Sequence, residues 1–262
     1  MSEQRVGAVL RQWRKHRRMS QIDLSESAEV STRHLSCIET GKTRASPEML
    51  LVLASALEMP LKERNQLLLA GGYAPAYQDP TVASPQVERA VDVILQGAEP
   101  YPAIALDLNW DLRNANGAAA RLFGALSPSI AARALAGERV NLMLALVEDP
   151  ELREKVLNWT DVAAAAIDRL HREAVAYPGP NGPAPTLEAL LRHPDTPSRF
   201  HRPELDHEPR TFIDFRVTIE SETLSFFTTV QMLGTAIDTL ASRMIFETYY
   251  PADEPTREWL NR

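Results

Sequence analysis

Enzymatic chemistry needs reactive side chains within reach of one another, and this chain is sparing with them. The six histidines, His16, His34, His171, His193, His201 and His207, are scattered along the sequence. The nearest pair lies in HRPELDH, with Glu204, Asp206 and Glu208 close by, in a proline-containing polar stretch that fits no helical metal-ligand spacing. A glycine-rich phosphate loop and a G-x-S-x-G elbow are both missing from the sequence. Cys37 is the single cysteine, so no second thiol could resolve an oxidised state. Catalysis, a metal and a cofactor are therefore not expected. A different chemistry is offered by Ser31, Thr32, Arg33, Ser36 and Cys37, with Gln21 before them and Lys42 and Arg44 after. Short hydroxyl, amide and cationic side chains of this kind suit base edges and phosphates.

Such residues act together only if one face presents them. The stretch SQIDLSESAEVSTRHLSCIE, residues 20–39, predicts two short helices and a tight turn. Ser20 is placed to cap Gln21–Ala28, Glu29-Val30 forms the turn, and Ser31 caps Thr32–Glu39. Leu24, Ala28, Val30, Leu35 and Ile38 have the spacing to lock the pair, which turns Thr32, Arg33, Ser36 and Cys37 outward. Glu29 stands where a turn of this sort favours glycine. A helix over residues 5–18 should close over the pair with Val6, Val9, Leu10 and Trp13. Ser46-Pro47 opens a further helix to Leu57, burying Met49, Leu50, Leu53, Ala54 and Leu57. Pro60 opens a fifth, ended by Gly71-Gly72. The first domain is thus residues 1–72.

Charge distribution agrees with this division. The 262-residue chain has a net charge of −7, which alone argues against nucleic acid. Residues 1–75, however, hold 11 Lys/Arg against 8 Asp/Glu, while the remainder holds 17 against 27. Arg11, Arg14, Lys15, Arg17, Arg18, Arg33, Lys42 and Arg44 concentrate the positive charge where phosphates could meet it. The same WRKHRR run also reads as a solvated helix end favoured by the helix dipole. One cysteine, 44% apolar residues and no apolar run near a membrane span lead us to expect a cytoplasmic protein that avoids membranes.

Residues 73–84 read as a linker, and residues 85–262 as a second domain. Pro85–Gly97 predicts a helix. YPAIALDLNWDLRNAN predicts two short strands about an Asp-Leu-Asn turn, followed by a helix from Asn116-Gly117. Helices are expected over Asn141–Val147, as one long element over Pro150–Tyr177, and over Leu187–His193. Residues 194–210 suggest a polar surface loop. Thr211–Glu220 alternates, with Ile213, Phe215, Val217 and Ile219 inward, and pairs with Leu224–Leu233 through Ser221-Glu222. Gly234-Thr235 turns again, Thr239–Thr248 is expected as helix, and PADEPTREWLN closes the chain as another. The fold class is mainly α, with an α+β second domain.

Both halves resemble known families. The first motif is similar to the helix-turn-helix of lambdoid phage repressors and Xre-type regulators. The resemblance implies a five-helix lambda-repressor-like fold binding a double-stranded DNA operator, and a homodimer is expected because one helix reads only a few base pairs and symmetric half-sites multiply affinity. It puts Gln21 at the phosphate-binding position, Thr32, Arg33 and Cys37 at base-contacting positions, Arg14 and Glu39 in an ion pair, and Gly41-Lys42 in the turn that follows. Glu29 and Ser25 depart from the usual glycine and alanine. In the second half, PYPAIALDLNWDLRNANGAAARLF and LSFFTTVQMLGTAIDTLASRMIFETYYPAD resemble the ligand-binding domain of MmyB-like regulators. That likeness implies a PAS-like fold that senses an apolar, fatty-acid-like ligand.

A ligand cavity of this kind has apolar walls and few polar anchors. The candidates are Trp110, Asn114, Phe123, Leu142, Leu146, Trp159, Phe215, Phe226 and Met232, each of which could equally be ordinary core. Asn114 could meet a head group or a backbone amide, and Arg216, between Asp214 and Thr218, should face solvent. Two functional readings follow: a ligand-responsive DNA-binding transcription regulator, or a DNA-tethered protein-interaction module with a solid second domain.

Overall fold

The computed structural model describes residues 2–77, 84–177, 182–194, 196, 214–233 and 244–262. The chain divides into two compact units, the first reaching to Ala83 and the second beginning at Ser84. Among the described residues no helix is long and apolar enough to cross a membrane.

The first unit is five helices: α1 (Ser2–His16), α2 (Gln21–Ser27), α3 (Thr32–Glu39), α4 (Pro47–Ala56) and α5 (Leu61–Ala70). α1 begins three residues before the expected start and stops at His16 instead of residue 18. Ser20, Ser31 and Ser46 each accept a backbone N–H three residues on, and Asp23 completes a reciprocal capping box with Ser20. Val6, Leu10, Trp13, Leu24, Leu35, Ile38, Leu50, Leu53, Leu57 and Leu67 form one buried cluster.

All five helices end in the same way. A residue with left-handed backbone follows each, and the next amide reaches back to the last turn: Met19 to Arg14, Val30 to Ser25, Lys42 to Cys37, Met59 to Ala54 and Tyr73 to Leu68. This is the Schellman closure. Glycine supplies the left-handed residue at Gly41 (φ 71°) and Gly72 (φ 78°), but Arg18, Glu29 and Glu58 do so at φ 55°, 54° and 49°. Glu29 thus closes the turn of the helix-turn-helix at some strain cost, since its Cβ crowds the backbone there.

The second unit begins with α6 (Pro85–Gly97), β1 (Ala103–Leu106), β2 (Leu112–Ala115), α7 (Gly117–Leu126), α8 (Pro128–Leu135) and α9 (Leu142–Glu148). It continues with α10 (Pro150–Lys155), α11 (Trp159–Ala176), α12 (Ala184–Arg192), β3 (Phe215–Ile219), β4 (Glu222–Met232), β5 (Ile245–Pro251) and α13 (Glu254–Leu260). The five strands make one antiparallel sheet in the order β2-β1-β5-β4-β3. Helices α7 to α11 pack with one face of the sheet in a core that includes Ile104, Leu106, Leu122, Ile167, Val217, Leu224, Phe226 and Tyr249. This is the PAS-like half of the mainly-α, α+β architecture expected from the resemblance.

Three sequence expectations change. The long helix over Pro150–Tyr177 is two helices, broken at Val156. There the backbone leaves the helix to bridge Val217, Leu157 N–H donates to the Arg216 carbonyl (2.8 Å), and Asn158 clasps β3 from both sides. Val156 and Trp159 both remain buried, so the apolar period runs through the break without a sign of it. Residues 245–248, expected as helix, belong to β5, a central strand bonded to β1 and β4. Helix α8 was not anticipated; Ser127 caps it and Pro128 occupies its first turn. Ile213, the Gly234-Thr235 turn, the first part of the Thr239–Thr248 element, the 197–210 loop with HRPELDH, and residues 78–83 of the linker lie outside the described residues.

Candidate nucleic-acid interface and ligand cavity

Helix α3 presents the polar face that the sequence suggested. Ser31, Thr32 and Arg33 are exposed, Ser36 and Cys37 half-buried, while Leu35 and Ile38 are fully inside. Several of these side chains are already bonded within the unit. Ser31 Oγ accepts the His34 N–H (3.2 Å), and Thr32 Oγ1 shares a hydrogen bond of 2.9 Å with Ser25 Oγ. Ser25, where the resembling repressors carry alanine, is buried and also donates to the Ile22 carbonyl (2.8 Å). Its hydroxyl therefore ties α2 to the start of α3. Arg33 and Lys42 are exposed and make no side-chain bond among the described residues, so both cations are available to a polyanion.

Beneath this face lies a buried ion pair. Glu39 has a side chain with no exposed surface, and Arg14 meets it with two bonds, Nε to Oε1 (2.7 Å) and Nη2 to Oε2 (3.0 Å). Gln21 Nε2 donates the third, to Oε2 (2.8 Å). A planar fork and an amide satisfy a carboxylate well, and the arrangement fixes α1, α2 and α3 against one another. Gln21, the expected phosphate ligand, is thereby held at the start of α2 by Glu39. Sequence reasoning missed Gly7: a Cβ there would lie 2.2 Å from the Glu39 carbonyl oxygen, so only glycine lets α1 cross α3 this closely.

Not every base of the cluster is available. Arg17 caps the end of α4 through the Leu57 and Glu58 carbonyls, each at 3.0 Å. Arg44, a candidate DNA contact, lies over the Tyr73 ring (5.1 Å) and reaches the Gly71 carbonyl (3.4 Å), which anchors it to the end of α5.

In the second unit a cavity of about 350 Å³ opens between the sheet and helices α7 to α11. Of the nine candidates, Trp110, Phe123, Leu142, Leu146 and Phe215 line it. The other four do not. Asn114 is exposed on β2, donating to Asp92 Oδ1 (3.2 Å) and accepting its neighbour's amide. Trp159 is core, its indole N–H bonded to the Leu146 carbonyl (2.7 Å). Phe226 is wholly buried, and Met232 is 46% exposed near the end of β4. Arg216 is exposed, as expected. Trp110 reaches the cavity from the β1–β2 turn at φ 67°, in a turn knit by Asp107, whose Oδ1 accepts the Asn109 and Asp111 amides.

The polar part of the lining was not foreseen. Arg169 stacks on Trp110 (4.2 Å) and pairs with Glu173 (2.7 Å), whose other oxygen accepts the Trp110 indole N–H (2.8 Å). Arg172, three residues further on, also lines the cavity, exposed and without a partner among the described residues. From the sheet come Thr228, Glu247 and Tyr249. Burial pushes the Glu247 carboxyl up from its ordinary range, although the Arg169 charge and the Thr228 hydroxyl pull the other way. Burial also raises the Tyr249 phenol well above its usual value. Ala165 and Ala166 on α11 leave the space these groups face.

A wider groove of about 450 Å³ runs past Arg133, Arg139, Asn141, Glu148, Asp149 and Thr186. Both of its arginines and Asp149 are engaged: Arg139 with Asp111, Arg133 with Glu138, and Asp149 with the hydroxyls of Ser127 and Ser129. The smaller, more apolar cavity is the better ligand site.

Residues 87–262 match the family model described as MmyB-like transcription regulator ligand binding domain. Residues 5–67 match a helix-turn-helix domain model. Among curated proteins, none matches the sequence.

Proposed function

The chain belongs to the MmyB-like transcription regulators, and on that premise we propose that it binds an operator duplex as a homodimer and releases or grips it according to the occupant of the 350 Å³ cavity. A helix-turn-helix joined to a ligand-binding domain makes a ligand-sensing transcription regulator. The finer reading concerns what each part touches. Thr32, Arg33, Ser36 and Cys37 enter the major groove, with Gln21, Ser31 and Lys42 toward phosphates, while Arg44 stays anchored to the end of α5. Two copies are needed because one short helix reads few base pairs, and symmetric half-sites lie roughly 34 Å apart, one turn of duplex.

The observation that carries the ligand reading is the cavity itself: apolar walls from Phe123, Leu142, Leu146 and Phe215, with Arg172, unpaired among the described residues, in its lining. An apolar acid of the fatty-acid kind fits both features. Its chain is drawn from water by the walls, and its carboxylate neutralises the guanidinium. Such an acid alters DNA binding only by favouring one state of the protein over another.

Calorimetry with dodecanoic acid and operator capture with and without the acid test this reading. Arg172→Ala should weaken acid binding about tenfold, or ~1.4 kcal/mol, with the fold intact. Arg33→Ala should relax base preference at one position, whereas Gln21→Ala should weaken all duplexes alike. Acid binding that ignores Arg172, or a duplex affinity unaffected by both head variants, would overturn the assignment.

A further inference from the structure

The sheet wall of the cavity is unusual for a purely hydrocarbon guest. Strands β4 and β5 place Thr228 opposite Tyr249, and Glu247 two residues from Tyr249 on the same face. All three line the cavity. Glu247 is 9% exposed and forms no ion pair among the described residues, because the nearby Arg169 is engaged by Glu173 and the Trp110 ring. The Thr228 hydroxyl works in favour of the charged carboxylate, but burial outweighs it and favours the uncharged form. An uncharged carboxyl buried beside a hollow keeps an O–H donor and acceptor capacity that a methylene chain cannot meet.

We propose, resting on the cavity reading above, that Glu247, with Thr228 and Tyr249, selects an apolar acid bearing an oxygen on its chain, a hydroxy- or oxo-acid, over the unsubstituted chain. Facing groups decide the class. Arg169 and Arg172 on α11 line the same cavity, so an amine-bearing guest would meet two cations there. A second carboxylate would have to give up its hydration in a buried pocket beside Glu247. A neutral oxygen, by contrast, accepts from Glu247 or Tyr249 and meets neither cost. A site built around such donors rejects the analogue that lacks the oxygen because its own buried groups are then left unpaired.

The experiment is calorimetric titration of the lipid-stripped full chain with dodecanoic acid and with monohydroxydodecanoic acids whose hydroxyl is moved along the chain. At least one isomer should bind about tenfold more tightly than the parent acid. Glu247→Leu should erase that preference by bringing the parent's affinity up toward that of the preferred isomer, since no buried carboxyl is then left unpaired, and Glu247→Gln, which still donates, should keep part of the preference. Equal affinity for the parent and every isomer overturns the selection alone, as does a preference that survives in Glu247→Leu. If neither the parent nor any isomer binds, the apolar-acid reading of the cavity falls and the selection with it.

Discussion

Each unit of this protein buries a glutamate, and the two are treated oppositely. Glu39 receives three side-chain bonds, two from Arg14 and one from Gln21, so its charge is spent on holding three helices together. Glu247 forms no ion pair among the described residues and lines a hollow, with the Arg169 cation engaged by Glu173. A fully satisfied buried carboxylate is architecture, since removing its partner costs far more than the pair gains. An incompletely satisfied one beside empty space is chemistry waiting for a guest. The contrast extends to backbone. All five helices of the first unit close through the same left-handed turn, whereas in the second unit Gly137 alone among the described left-handed glycines ends a helix, α8.

The largest test of this contrast is Arg14→Met. It leaves Glu39 buried and uncompensated, and should destabilise the first unit by about 3–5 kcal/mol. Hydrogen exchange should show protection lost across α1 to α5 and retained in the sheet. A loss below about 1 kcal/mol would place Glu39 in the same class as Glu247. A smaller effect of opposite sign is expected at Glu29, whose φ of 54° suits glycine. Glu29→Gly should stabilise the first unit by about 0.5–1 kcal/mol in urea unfolding, the relief of crowding exceeding the entropy glycine adds to the unfolded chain.

The smallest effect is a pH slope. Glu247 has its folded pKa raised above the ordinary 4.5, so the folded chain keeps a proton that the unfolded chain gives up. Its contribution is whole below the unfolded value and declines as pH climbs through the folded one. Glu247→Gln lacks this proton. Its stability relative to the parent protein should therefore rise as pH increases from about 4.5 upward, as read from urea midpoints. A flat difference would mean that the carboxyl is paired after all, and the contrast with Glu39 would dissolve.

Much of the first unit was legible because its rules are local. Ser20, Ser31 and Ser46 announce helix starts, and the spacing of Leu24, Leu35 and Ile38 announces the pair they lock. The Arg14–Glu39 pair came from the resemblance rather than from spacing, because 25 residues separate the partners. Gly7 escaped notice because the reason for it is a carbonyl on another helix. In the second unit the aromatic candidates were visible, but the polar half of the cavity was not. Reading residues 245–248 as helix hid the alternation that turns Glu247 and Tyr249 to one face. Arg169 and Arg172, three apart on α11, look in sequence like any solvated helix face. Only the placement of Trp110 and Glu173 shows one of them held inward.

The stitching at the borders of the sheet constrains assembly. Beside β3, Leu157 N–H and Asn158 occupy main-chain groups of Asp214 and Arg216 that a neighbouring strand would use. Beside β2, Asp111 bridges Asn141, Leu112 N–H is taken by the Val140 carbonyl, and the Ala115 N–H is bonded by the Asn114 side chain. These borders are thus blunted against strand addition, the route by which open sheets polymerise. Should two copies pair as proposed, these margins would offer them side chains and not free main-chain groups, and would not seed fibre growth.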